Sequence, residues 1–132
     1  MTSKDRQIIR DLAKRIAEIA ATSEQQARPG RWYATNALKQ ERPIIYCSPE
    51  GSWAELVPVD VLTCEDDDAR GLEHGMRMRI YAVEHFVDDQ VCDDIFRVPM
   101  GVGSTGWGID AEYHRPAEAR GAYVWEPPIK TL

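Results

Sequence analysis

The stretch TCEDDDARGLEHGMRMRIYAVEHFV, residues 63–87, sets the organisation of the chain. Leu72, Met76, Ile80, Val83 and Val87 recur at spacings of four, four, three and four, with Ala69 about a turn earlier. On an α-helix these positions make one apolar stripe, which another element has to cover. Gly71, Gly75, Met78 and Ala82 fall on an adjacent face and leave it nearly flat, so a second element is expected to pack closely there. Each interior glycine costs about 1 kcal/mol relative to alanine, which close packing would offset. Thr63 and Asp66 have the spacing of a capping box, and the acidic residues 65–68 sit at the positive end of the helix dipole. That placement explains the acidic run structurally, ahead of any cation site.

Working outward, Pro43 opens Ile44-Ile45-Tyr46-Cys47, a short continuous apolar run that reads as a strand buried on both faces and ended by Ser48-Pro49-Glu50-Gly51. Beyond the helix, Asp88-Asp89 breaks the pattern, residues 91–98 read as a second strand, and Pro99 closes it. Strand, long helix, strand is a βαβ unit with a right-handed crossover, which makes the fold class α/β. Upstream, Ile8, Leu12, Ile16 and Ile19 mark an amphipathic helix over residues 3–21. Pro29-Gly30 then starts a shorter helix through Trp32 to about Leu38. Residues 53–56 make one helical turn before Pro58. Downstream of the glycine-rich GVGSTGWG at 101–108, residues 109–113 and 122–125 form an antiparallel hairpin with its loop at 115–121. The chain is read as a single domain, 1–132, with leading helices at 1–42, the βαβ unit at 43–100, and the glycine loop and hairpin at 101–132.

A length of 132 residues, 43% of them apolar, suffices for one modest core. A net charge of −6 argues against a nucleic-acid or anionic-membrane surface, since both need a basic patch. No apolar run approaches the ~20 residues that span a bilayer, and residues 1–20 lack the apolar core of a signal peptide, so a cytoplasmic location is expected. Cys47, Cys64 and Cys92 are odd in number and widely spaced, which fits reduced thiols. His74, His85 and His114 have no ligand spacing, and no metal site is expected within this chain.

Residues 101–106, GVGSTG, match the dinucleotide fingerprint GxGxxG but lack the helix that should open at its third glycine, so a glycine-permitted loop is the better reading. In parallel α/β folds reactive groups gather at the carboxyl ends of the strands. Residues 47–53, the Asp93-Asp94 pair and the glycine loop with Gly103 are expected to meet there. Adjacent strand residues face opposite ways, so one of the two aspartates faces inward, where an unpaired carboxylate is costly. Trp53 and Trp107 are candidate pocket walls. Cys47 reads as a buried, inert thiol, because no base lies near it in sequence.

With Arg42-Pro43-Ile44-Ile45-Tyr46 and Val91-Cys92-Asp93-Asp94-Ile95-Phe96-Arg97-Val98-Pro99 in view, the chain resembles the uroporphyrinogen decarboxylase superfamily, and most closely its decarboxylase-like members grouped with cobalamin-dependent methyltransferases. Trp32 with Asn36-Ala37-Leu38, Leu62-Thr63 to Glu65-Asp66, Thr105-Gly106-Trp107-Gly108-Ile109 and the closing Ile129-Lys130-Thr131-Leu132 extend the likeness over nearly the whole chain. That family folds as a (β/α)₈ barrel of typically ~250 residues or more. The resemblance therefore implies the leading part of a barrel: helices, an incomplete (β/α) barrel unit and a hairpin. It implies a catalytic role for Asp94, which falls on the family's S-D-I aspartate. The family's arginine-bearing segment after the first strand is absent. Pro49-Glu50-Gly51-Ser52-Trp53 stands there, with Glu50 and Trp53 as substrate-contacting candidates beside Gly103 and Trp107, which disfavours a polycarboxylate porphyrinogen. What it implies for function is the N-terminal portion of a corrinoid-linked methyltransferase, inactive alone. Corrinoid and zinc belong only to a complete family member, with none bound by this chain. The expected partners are the remainder of the barrel or a second copy of the chain, and a corrinoid protein. The alternative is a free-standing, self-associating binding or scaffolding module without catalysis.

Overall fold

The computed structural model describes residues 1–39, 42–98, 100–103, 108–118 and 121–131. They fall into two compact units, Met1–Phe96 and Arg97–Leu132. The first unit holds α1 (Ser3–Ala20), α2 (Ser23–Asn36), α3 (Trp53–Leu56) and α4 (Asp67–His85), with single 3₁₀ turns at Glu50–Ser52 and Val59–Val61. The second holds β1 (Glu112–His114) and β2 (Val124–Glu126). The described residues are thus helix-rich with one small antiparallel sheet.

A reciprocal cap starts α1. Thr2 Oγ1 accepts from Asp5 N at 3.1 Å, and Asp5 Oδ2 accepts from Thr2 N at 2.8 Å. One face of α1 then buries Ile16 and Ile19, which with Cys92 form the apolar core, and Met76, Ile80 and Val83 of α4 pack against it. The stripe that organises the sequence is therefore covered by α1, as far as Val83. Val87 lies past the end of α4 and is exposed. The cap of α4 is Asp66, which accepts from Ala69 N at 3.0 Å. Thr63 does not share that cap: its amide instead donates to the buried Glu73 at 2.9 Å.

On the adjacent face of α4 the expected close packing is missing. A Cβ built on Gly71 or Gly75 meets nothing within 4 Å. The notch at the two glycines is open among the described residues, while Ala82, further along the same face, is buried.

Pro29 lies inside α2 instead of starting it. Proline removes one helical hydrogen bond, but both sides of it are pinned. Arg28 donates to Gln90 O at 2.6 Å, and Trp32 Nε1 donates to Asp89 O at 2.8 Å. Gln25, a turn earlier, accepts from Cys92 N at 2.9 Å. These tertiary bonds hold the helix through the proline.

Residues 44–47 and 91–98 form no strands, and no barrel unit is shown among the described residues. The physical reason is visible in their amides. Ile45 N donates to Asp89 Oδ2 at 3.0 Å and Cys47 N to Asp88 Oδ2 at 3.1 Å, so carboxylates occupy donors that a ladder would use. A single backbone bond, Asp89 N to Ile45 O at 2.8 Å, joins the two neighbourhoods. Asp89 is the centre of this junction. Arg42 grips its carboxylate with two hydrogen bonds, at 2.8 and 2.5 Å, and Arg31 adds a third at 3.2 Å. The Arg42 guanidinium and then the Ile45 amide hold the Asp89 carboxyl well below the usual range.

In the second unit the expected hairpin is present, with Tyr113 opposite Trp125. The Tyr113 and Tyr123 rings meet edge to face, centroids 5.6 Å apart. A Cβ on Gly121 would lie 2.3 Å from Pro116 Cγ, so only glycine fits that loop position.

Candidate functional site

The sequence placed a site at the carboxyl ends of two strands; the described residues have no strands there, and show instead a small cleft of about 220 Å³ between residues 46–49 and α4. Trp53 walls one side. Its ring meets Tyr81 edge-on at 6.1 Å and Phe86 at 6.0 Å, so α3 presents an aromatic surface fixed by α4. Gly75, Met78 and Ala82 supply the floor, and the bare glycine notch is what opens it. Gln90 Nε2 donates to the Tyr46 hydroxyl at 3.2 Å across the rim.

The cleft carries one cation, Arg79. Its guanidinium donates to Asp93 O at 2.5 Å and to Asp93 Oδ1 at 3.2 Å, and lies 3.9 Å from the buried Cys92 sulfur. Of the adjacent aspartates, Asp93 is the one turned to α4, and Asp94 is exposed. The sequence expected opposite orientations from alternation along a strand, but residues 91–98 form none, so that is not what turns Asp93 toward Arg79. Nothing local in the sequence marks Arg79, because its partner lies 14 residues away across the helix end.

The candidate residues are only partly brought together. Trp53 lines the cleft, and Glu50 sits in the turn leading to it, exposed, with a left-handed φ of 48°. Such a conformation is costly for a residue with a side chain. Gly103 belongs to the second unit, where a Cβ added to it meets nothing within 4 Å. Trp107, like residues 104–106 of the glycine motif, lies outside the described residues.

Cys47 lines the same cleft and is exposed, a correction to its reading as a buried thiol. The inert cysteines are the other two. Burial, then the neighbouring Glu73, pushes the Cys64 thiol up to about 11, and burial raises Cys92. Among the described residues no three His, Cys, Asp or Glu side chains are grouped to hold a metal ion. No helix among them is long and apolar enough to cross a membrane.

Chemically, the cleft can hold a small, flat, partly apolar group against Trp53 and orient it with Arg79 and Gln90. It contains no nucleophile paired with a base. Comparison with protein-family models, with curated proteins and with solved structures finds no match to this chain.

Proposed function

We propose that this chain is the N-terminal portion of a uroporphyrinogen decarboxylase-like enzyme, of the corrinoid-linked methyltransferase kind, and that it is inactive alone. One observation carries the reading. The two apolar runs that match the family are held together at their starts by the Arg42–Asp89 clamp, yet apart from the buried Cys92 most of their apolar side chains are exposed: Ile45 is 56%, Ile95 54% and Phe96 57% exposed. Runs of that composition without strand partners suit a surface that further protein completes. In this reading the remainder of a barrel covers them, the Trp53 cleft becomes one wall of the pocket, and Asp94 contacts the substrate. In this reading zinc and corrinoid belong to a complete family member.

The test compares the chain alone with the chain extended by the reading frame that follows it. The readout is methyl transfer from methylcobalamin to a thiol. The extended protein should turn over and the chain alone should not, and Asp94→Ala in the extended protein should abolish turnover while leaving its circular dichroism unchanged. Turnover that survives Asp94→Ala would remove the assignment.

The same uncovered runs also favour the second reading, a self-associating binding or scaffolding module without catalysis, in which copies of the chain cover one another. A defined dimer or higher oligomer of the chain alone in sedimentation equilibrium, with no turnover in either form, would select it.

A further inference from the structure

We infer that a second cleft, between α2 and residues 42–44, binds a small organic oxyanion, a molecule carrying a phosphate or carboxylate group. The cavity measures about 570 Å³, within the range of small-ligand sites. Arg31, Lys39 and Arg42 all line it, with Thr35, Gly30 and Ile44 between them. The clefts at Trp53 and at Tyr81 each have a single arginine in their lining among the described residues, against three Lys and Arg side chains here, and the chain as a whole carries a net charge of −6.

Among the described residues the one carboxylate bonded to these cations is already committed. Asp89 is 2% exposed, and its two oxygens take the Arg42 fork, Arg31 and the Ile45 amide. Three cations against one carboxylate leave a surplus of two positive charges among the described residues. Lys39 has no side-chain hydrogen-bond or ion-pair partner among the described residues. Arg31 uses a single nitrogen on Asp89 and keeps the rest of its donor fork for another acceptor. Planar donors beside a point cation suit phosphate or carboxylate oxygens.

The chain is turned to put Lys39 there. Helix α2 ends in a Schellman motif, with Lys39 N donating to Ala34 O at 2.8 Å and Leu38 N to Thr35 O at 3.0 Å. Leu38 takes the left-handed position at φ 56°, and the next residue lines the cleft beside Arg31. The Asp89 junction in turn fixes Arg42 against the same helix. The recess favours a small ligand, because an extended polyanion would meet the net negative charge of the rest of the chain. This inference is independent of the function proposed above: the cleft shares no lining residue with the one at Trp53.

The test is titration of the intact chain with inorganic phosphate and, separately, with succinate at low ionic strength, followed by amide chemical shifts. Saturable shifts should appear at Arg31, Thr35 and Lys39 at millimolar concentrations, and Lys39→Gln should weaken binding about tenfold. Lys39 is exposed and holds nothing else in place, so that variant should melt like the parent. Arg31→Gln, checked by melting because it also touches Asp89, should weaken binding to a similar degree. Response to phosphate alone assigns a phosphorylated ligand, response to succinate alone a carboxylate, and response to both a general oxyanion site. No saturable shift with either anion up to about 20 mM, or an affinity unchanged in Lys39→Gln, overturns the inference.

Discussion

At the scale of single residues, the first unit is tied together by buried carboxylates. Glu73 is fully buried on α4 and accepts from Thr63 N, Cys64 N and the Arg77 guanidinium at 2.9, 2.8 and 2.9 Å. Burial disfavours its charge, but the Cys64 amide, Arg77 and the Thr63 amide outweigh that and hold the carboxyl down at about 2. Asp5 is held at about 2 as well, first by the Glu65 amide and then by Thr2. A carboxyl lowered in the folded state contributes stability that is complete above its ordinary value near 4.5 and lost as pH falls through the folded one. Thermal midpoints should therefore drop between about pH 5 and pH 2. Glu73→Gln should cost about 1–3 kcal/mol at pH 7, because it weakens acceptors for buried amides. It should also make the acid decline shallower, leaving the share due to Asp5 and Asp89. Parent and variant curves running parallel from pH 5 to 2 would show that Glu73 does not carry that dependence.

At the scale of elements, periodicity made α1 and α4 legible. Ile16, Ile19, Met76, Ile80 and Val83 are where three- and four-residue spacing puts them. The start of α2 was not legible, because Pro29 outweighs everything local, and the bonds from Arg28 and Trp32 that rescue the helix reach 62 and 57 residues away. The same distance hid the Asp89 junction: Arg42 is 47 residues upstream, and no local pattern marks a carboxylate that will be buried. The cluster of cations at the second cleft was hidden for a related reason, since Arg31, Lys39 and Arg42 meet only after the Schellman turn. For the apolar runs at 44–47 and 91–98 the sequence reports a preference for strand, while pairing depends on a neighbour that the preference does not supply. One element carries a local cost that can be measured. Leu38 is 90% exposed and left-handed, so its side chain contributes little burial while its backbone is strained. Leu38→Gly should stabilise the chain by about 0.5–1 kcal/mol, with the strain removed partly offset by a freer unfolded state. A lower melting temperature in that variant would mean that Leu38 makes a contact worth more than the strain.

At the scale of the whole molecule, the question is whether other protein covers the first unit, and the glycine notch of α4 offers a direct way to ask it. Gly75 is in the middle of a helix with a left-over methyl's worth of room on that face, since an added Cβ there meets nothing within 4 Å. In the chain by itself Gly75→Ala should raise stability by about 1 kcal/mol, the usual gain in helix propensity. If protein seats against that face in an assembled form, the same methyl should weaken the assembly, and melting and sedimentation of the variant would move in opposite senses. Equal gains in both would mean that the face stays open to solvent in every form. A single hydrogen-to-methyl exchange thus works as a feeler gauge, reporting the gap between this helix and whatever lies against it before that neighbour has been identified.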